Sequence, residues 1–217
     1  MRLKASFGAL GALAIVSVSD AGFNHMFGLG PEAGTSRAPA CTSNVELIET
    51  VRYYDFFGSQ RAEADRSLRR RLLVSHDFAG RVKRFAGQAD WNIEWRTCLE
   101  PFGAGCRVSG LVATVRVGYT LPRWADRASA SDQIGSRWDS YATNLLAHER
   151  GHGRIALETA HLIQEGVVGL QDAQNCDAVS TEATNVVNEA MRRGEVMQNE
   201  YDRVTGHGRR QGAVFPF

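Results

Sequence analysis

The amino-acid sequence predicts one α+β domain in which a small antiparallel sheet packs against long helices. Two observations support this fold class. Residues between Gly80 and Pro122 include segments that alternate apolar and polar side chains, which is typical of strands, whereas the chain beyond Trp124 has the apolar spacing of long helices. A further strand and helix precede the middle part, and no internal repeat is visible. This order favours helices gathered on one face of the sheet.

Composition and charge restrict the class of protein. The chain is 43% hydrophobic and 23% charged, with a formal net charge of +1. This balance is typical of a globular domain and excludes collagen-like or largely disordered chains. Nucleic-acid binding depends on a basic surface that neutralises phosphates, so we expect no nucleic-acid partner.

The N-terminus has the features of an export signal. A basic start, Met1-Arg2-Leu3-Lys4, precedes a short apolar run, and Ser19-Asp20-Ala21 matches a cleavage site. The alternative is a buried N-terminal helix, which Gly8 and Gly11 disfavour. The run is shorter than the roughly 20 residues that cross a bilayer, which disfavours a permanent anchor.

These features divide the chain into three parts. We predict a signal peptide over residues 1–21, a linker over 22–43 and a domain over 44–217. The protein is then exported to the periplasm or secreted, without stable membrane insertion after the signal is removed.

Four cysteines support an oxidising compartment, where an even number commonly forms disulfides. Cys41, Cys98, Cys106 and Cys176 are not spaced as a zinc site. A local Cys98–Cys106 pair is plausible because a turn-rich segment separates the two. A Cys106–Cys176 pair would instead tie the sheet to a helix.

The elements before Trp124 follow from local patterns. Val45 to Phe57 is predicted as a strand, and Gln60 to Val74 as an amphipathic helix. Ala89 to Arg96 alternates, so that Trp91 and Trp95 share one face of the sheet and are expected to pack in the core. A further strand over Arg107 to Leu121 is predicted to end at Pro122.

Two long helices follow. Ser129 or Ser131 is the expected N-cap of the first, which continues to about Gly169. The second starts after Asn175 and presents apolar residues toward the same core.

The first long helix contains His148-Glu149-Arg150-Gly151-His152, an HExxH motif. At about 100° per residue the two histidines lie roughly 40° apart, so both imidazoles can reach one cation. Glu149 is displaced by about 100° from His148, which places its carboxylate beside the ion. Apolar residues at helical spacing share the face of the histidines, so we expect the pair to face inward.

This donor set predicts zinc, although cobalt and manganese are not excluded. Hydrolytic zinc sites have three protein ligands, and the third is the least determined part of the motif. We expect it from the end of the second helix and its tail, with His207 as first choice and Asp202 as second; Glu158, on the first helix, is the third choice. Tyr201 is a candidate catalytic donor to the oxyanion, with simple packing as the equal alternative.

The chain resembles a family of bacterial proteins catalogued as domain of unknown function 922 and described as predicted secreted zinc-dependent proteases. The resemblance spans roughly Glu49 to Phe217. It rests on separated motifs in matching order: Val51-Arg52-Tyr53-Tyr54-Asp55 with Gly58, Trp91-Asn92 with Trp95, Leu121-Pro122-Arg123-Trp124, His148-Glu149 with Gly151-His152, Cys176, and Tyr201-Asp202 with Thr205, His207-Gly208 and Gln211-Gly212-Ala213. The resemblance implies export and a metallopeptidase of zincin-like fold.

The sequence thus predicts an exported zinc metallopeptidase in which His148, His152 and His207 bind the metal and Glu149 is the general base for a metal-activated water. Its substrate is a peptide or protein, which we expect to add to Arg107–Leu121 as an edge strand. One alternative is an exported metal-binding or envelope-interaction module without hydrolytic activity. Another is an amidase that acts on cell-wall peptides.

Overall fold

The computed structural model describes residues 2–6, 41–76 and 81–217. Six strands and three α-helices form, in chain order, β1 (Arg2–Ser6), β2 (Asn44–Phe56), α1 (Arg61–Arg71), β3 (Leu73–His76), β4 (Val82–Phe85), β5 (Gln88–Phe102), β6 (Gly105–Trp124), α2 (Asp132–Val168) and α3 (Cys176–Thr205). Most of the predicted signal peptide and linker, residues 7–40, lies outside the described residues. The α+β class is confirmed.

The main sheet has four strands in the order β1-β5-β6-β2. β5 pairs antiparallel with β6, but β2 pairs parallel with β6 over its whole length. The prediction of an antiparallel sheet is therefore wrong, and the sheet is mixed. Alternation along a strand reveals which side chains are buried and contains no information on the direction of its neighbour.

β6 lies in the middle of this sheet, between β5 and β2. The expectation that Arg107–Leu121 is a peptide-binding edge strand is wrong, because residues 112–120 of β6 are paired with β5 on one side and with β2 on the other. The strand also continues past Pro122 to Trp124. Beyond Thr120, β6 pairs with β2 alone among the described strands, so the missing N–H of Pro122 is tolerated there.

The long helices pack on one face of the sheet, as predicted. Their shared core contains aromatic and aliphatic side chains from both layers, including Trp91, Ile93, Val115, Val117, Tyr119, Trp138, Tyr141, Leu145, Ile163 and Val187. The N-cap Asn175 accepts a hydrogen bond from the amide of Ala178 (2.9 Å), which explains where α3 begins. A left-handed Gly206 (φ 60°) ends α3.

A small second sheet was not expected from the sequence. β3 and β4 form an antiparallel pair, and the helix predicted to reach Val74 ends at Arg71 because Leu73–His76 are extended. No helix among the described residues is long and apolar enough to cross a membrane.

Two disulfides join Cys41 to Cys98 and Cys106 to Cys176. The local Cys98–Cys106 pair is wrong, and the sheet-to-helix pair is confirmed. In the β5–β6 hairpin Cys98 lies opposite Gly110 and Cys106 opposite Pro101, so the two are not cross-strand neighbours. Instead the backbone of Cys106 exchanges two hydrogen bonds with Ala173 (2.9 Å each), which brings it to the start of α3.

Digestion of the non-reduced protein tests this connectivity. Trypsin leaves Cys98 and Cys106 in one fragment, residues 97–107, because no Lys or Arg separates them. We expect mass spectrometry to find this fragment bound to both residues 38–52 and residues 155–192, since it contributes one cysteine to each disulfide. Further cleavage with chymotrypsin after Phe102 separates the two cysteines and assigns each partner, and an internally cross-linked fragment would refute the pairing.

Candidate metal centre

The HExxH segment lies on the buried side of α2. His148, Glu149 and His152 are only 3%, 4% and 6% exposed, which confirms that the pair faces inward. Glycine within the motif permits a close approach of α3: a Cβ atom at Gly151 would lie 2.0 Å from the Tyr201 hydroxyl. The local sequence of α2 is therefore adapted to one particular helix crossing.

That crossing brings Asp202 of α3 to the two imidazoles. Asp202 Oδ1 lies 3.3 Å from His148 Nε2 and 3.1 Å from His152 Nε2. The candidate ligand atoms of these three residues lie within 4.8 Å of one another, which is compatible with one shared cation. Among the described residues they form the group that could hold a metal.

Two glutamines orient the imidazoles. His152 Nδ1 donates to Gln198 Oε1 (2.5 Å), and the amide nitrogen of Gln198 donates to the His152 carbonyl (3.0 Å). His148 Nδ1 donates to Gln211 Oε1 (2.9 Å), while the Gln211 amide nitrogen donates to the Tyr201 hydroxyl (3.0 Å). The His152 carbonyl can only accept, and the Tyr201 hydroxyl accepts because its own proton is donated to the His148 carbonyl. Each amide nitrogen therefore points to these groups and each Oε1 faces its histidine, which makes Nδ1 the protonated nitrogen of a neutral imidazole.

The consequence is a cluster that needs a cation. A neutral imidazole has one N–H, and here Nδ1 uses it, so each Nε2 presents a lone pair toward Asp202. Two lone pairs and a carboxylate then face one another in a mostly buried site, which is unfavourable unless a metal or additional protons lie between them. Two nitrogens and one carboxylate oxygen, with the outer nitrogens hydrogen-bonded, are a typical zinc donor set.

The electrostatics of Asp202 agree with this arrangement. Burial raises the pKa of Asp202. When additional protons rather than a metal lie between the groups, hydrogen bonds from His148, His152 and His207 to Asp202 outweigh the effect of burial and hold that pKa well below its usual range. Asp202 therefore remains a carboxylate, which is the form that binds a metal.

His207, the ligand expected first from the sequence, occupies a different position. Its Nδ1 lies 3.3 Å from the second carboxylate oxygen of Asp202, and half of its side chain is exposed. The hydrogen bond with Asp202 raises the pKa of His207. Its backbone is left-handed (φ 50°) between two left-handed glycines, and Gly208 passes so close to His148 that a Cβ would lie 3.0 Å from the ring.

The other two candidates are also located. Glu158 is exposed on the outer side of α2 and does not belong to the group. Tyr201 stacks on the His148 ring (centroids 5.1 Å apart, 12° between planes), and its hydroxyl donates to the His148 carbonyl (3.1 Å). These contacts orient His148 and the α2 backbone.

Glu149 lies beside the cluster under the segment that joins β4 to β5. A Cβ atom at Gly87 would lie 2.6 Å from Glu149 Oε1, so the backbone there covers the carboxylate closely. Burial raises the pKa of Glu149 from 4.5 to about 7; His148 opposes this shift, whereas Asp202 and Asp90 add to it. A carboxylate with this environment is typical of a functional site.

Comparison with known proteins places the chain in one family. The family model described as "Bacterial protein of unknown function (DUF922)" matches residues 51–208. The chain belongs to this family. No curated protein and no solved structure matches the chain. The matched range of this DUF922 protein contains both histidines, Glu149 and Asp202.

Two residues of the candidate site were missed in the sequence. Gln198 is fully buried and lies four residues before Asp202, on the same face of α3, and that spacing could have indicated a shared role. Gln211 is part of the C-terminal motif and lies just beyond the range matched by the family model. A glutamine that orients a histidine from another element has no characteristic spacing from it in the sequence, because the two meet only in the folded protein.

Replacing Glu149 by Gln is expected to stabilise the metal-free DUF922 protein above neutral pH. The pKa of Glu149 is higher in the folded state, so the unfolded state loses the proton first, and stability falls as the pH rises from 4.5 to about 7. The difference between these two pKa values corresponds to a loss of at most roughly 3 kcal/mol in the free energy of unfolding. Glu149→Gln cannot ionise, so it should not show this loss at about pH 8.

Urea unfolding in excess chelator measures this difference at about pH 5 and about pH 8. The exposed Glu158→Gln on the same helix is the matched control and should have little effect at either pH. A loss of stability in Glu149→Gln at the higher pH would contradict the prediction.

Proposed function

We propose that this protein is an exported zinc-dependent metallopeptidase with a zincin-like arrangement of its site. One observation supports the proposal above all others: two imidazoles from α2 and a carboxylate from α3 converge, with Glu149 buried beside them. The two disulfides fit an oxidising compartment and therefore support export.

His148, His152 and Asp202 would hold the zinc ion. This choice differs from the expectation of His207, because Asp202 belongs to the convergent group and His207 contacts the far oxygen of that carboxylate. Bound zinc supplies Lewis acidity, which lowers the pKa of water and polarises a carbonyl group. Three protein ligands leave room for a substrate, as in other hydrolytic zinc sites.

The chain's own residues supply the proton transfers and the geometry. Glu149 takes a proton from the attacking water and delivers it to the leaving amine, which is general base and then general acid catalysis. Gln198 and Gln211 fix the histidine tautomers, and Tyr201 holds the His148 ring by stacking. We assign Tyr201 this positioning role because its hydroxyl is bonded to the His148 carbonyl.

His207 has a supporting role in this mechanism. Its ring nitrogen faces Asp202 Oδ2 and so orients the carboxylate whose other oxygen faces the two imidazoles. Hydrogen-bond partners of metal ligands commonly tune affinity by 10–100-fold, approximately.

Peptide hydrolysis with and without chelator tests the proposed activity. We expect the zinc-loaded protein to cleave an unfolded protein such as reduced casein, and Glu149→Gln to lose at least about 100-fold in turnover while it retains zinc. Glu158→Gln should cleave normally, since Glu158 is exposed away from the site.

Two results would reject the peptidase proposal. Zinc binding without any turnover in the wild type would favour a metal-binding module. Chelator-sensitive cleavage of peptidoglycan fragments, with casein untouched, would favour an amidase.

Zinc affinity measured by competition with a chromogenic chelator tests the ligand set. Asp202→Asn removes a charged ligand and should weaken zinc binding by more than about 100-fold, whereas His207→Asn should weaken it by no more than about 10-fold. A larger loss of zinc affinity in His207→Asn than in Asp202→Asn would contradict this ligand set and indicate that His207 is the third ligand.

A further inference from the structure

A cavity of about 470 Å³ lies beside the half of α2 that precedes the metal centre. Its wall is formed by Arg61 at the start of α1, by one side of α2 between Ser136 and Tyr141, and by the tail after α3, which includes Phe215 and Phe217. None of these residues belongs to the group that could hold the metal. We name this space the α2 cavity.

The charges around the α2 cavity have one sign. Arg61 and Arg137 line it, and no acidic side chain of the described residues does. Neither guanidinium forms an ion pair with a carboxylate of the described residues, because the neighbouring Asp139 pairs with Arg127 instead (2.7 Å). A group that enters the cavity therefore meets two positive charges that the protein itself does not neutralise.

Tyr141 adds a hydroxyl group to the cavity wall. The residue is only 4% exposed, and its ring packs against Trp138 and Phe215 (centroids 5.7 and 5.9 Å away). Its hydroxyl forms no hydrogen bond with any of the described residues. A mostly buried hydroxyl without a partner is unfavourable, so an acceptor in the cavity would satisfy it.

The cavity lies close to the metal centre. Tyr141 precedes His148 by two helical turns, which is about 10 Å along α2, and lies on the same face of the helix. Burial first, and then the charge of Glu149, raise the pKa of Tyr141, which agrees with this proximity. An extended peptide covers the same distance in about three residues.

The tail also connects the two sites. Gly212 lines the cavity, and its carbonyl accepts a hydrogen bond from the Asn144 side chain (3.1 Å). The preceding residue, Gln211, accepts the hydrogen bond from His148 Nδ1 (2.9 Å). The same short segment therefore forms part of the cavity wall and orients a metal ligand.

We propose that the α2 cavity is a substrate subsite that binds the side chain of a Glu or Asp residue about three positions from the scissile bond. Guanidinium groups bind carboxylates through charge-assisted hydrogen bonds, and the Tyr141 hydroxyl is a further donor. The rings of Phe215 and Phe217 supply an apolar wall for the methylene groups of the acidic side chain. The proposal rests on the proposed peptidase function and specifies its substrate class, which is peptides with an acidic residue at that position.

Peptide binding to the full zinc-loaded chain tests the subsite without turnover when the protein has the Glu149→Gln background. The probes are short fluorescent Ala-Ser peptides in which a single Glu is moved from position to position, and the same peptides with Gln are their controls. Arg61→Gln/Arg137→Gln removes both charges, and Tyr141→Phe removes only the hydroxyl. Arg154→Gln is the matched control, because Arg154 is an exposed arginine of α2 outside the cavity.

At the best position, the Glu peptide should bind at least about ten-fold more tightly than the Gln peptide, both to the parent protein and to Arg154→Gln. This preference should fall below about three-fold in the double arginine variant, be smaller in Tyr141→Phe, and decrease as salt is added. The affinities for the Gln peptide and for zinc should stay the same in every variant, since the metal centre is unchanged.

Three results would overturn the proposal: equal affinity for Glu and Gln peptides at every position, a preference that survives the double arginine substitution, or a loss of zinc affinity as large as the loss of preference. Free glutarate that displaces the probe as efficiently as the unlabelled peptide would also overturn it, because the cavity would then bind small anions.

The two proposals fail separately. Absence of zinc-dependent cleavage in the wild type, with an arginine-dependent preference for Glu peptides intact, rejects the peptidase and retains the acidic-peptide site. Zinc-dependent cleavage that is equally efficient for Glu and Gln peptides retains the peptidase and rejects the α2 cavity as its subsite.

Discussion

The crossing of α2 and α3 is the constraint on which the rest of the site depends. The imidazoles of His148 and His152 both donate from Nδ1, and their Nε2 atoms face the carboxylate of Asp202. The space between these three groups is the size that one metal ion needs. Each group presents a lone pair or a negative charge, so the arrangement is favourable only with a positive charge in the middle. Gln198 and Gln211 hold the proton of each neutral imidazole on Nδ1. Neither histidine can therefore change tautomer to place an N–H toward Asp202, and a cation is required instead.

Several features of the fold follow from holding that crossing. Gly151 and Gly153 cost helix propensity in the middle of α2, yet they let Tyr201 and Tyr119 approach the helix backbone closely. The Cys106–Cys176 disulfide joins the start of the long central strand to the start of α3, so the helix is tethered at the end remote from the site. Burial of Glu149 opposes stability near neutral pH, which is a common compromise at functional sites.

The sheet supports the two helices from one face. Its central strand, β6, lies between β5 and β2, whereas β5 is paired on its other side with an extended segment of the same chain, β1. An edge strand is a hazard for aggregation unless it is covered, and the N-terminal strand covers this one.

The sequence by itself determined the two long helices, their inward faces and the HExxH group, because helical spacing and the chemistry of neighbouring residues are local properties; which cysteines pair was decided by the tertiary structure. It placed α2 and α3 to within a few residues and identified Asp202 only as one of three options. Strand direction, the central position of β6 and the meeting of Asp202 with His148 and His152 were decided by the tertiary structure alone. The physical reason is that these depend on how elements 50 or more residues apart are packed, and a donor from a second helix has no spacing rule that relates it to the first.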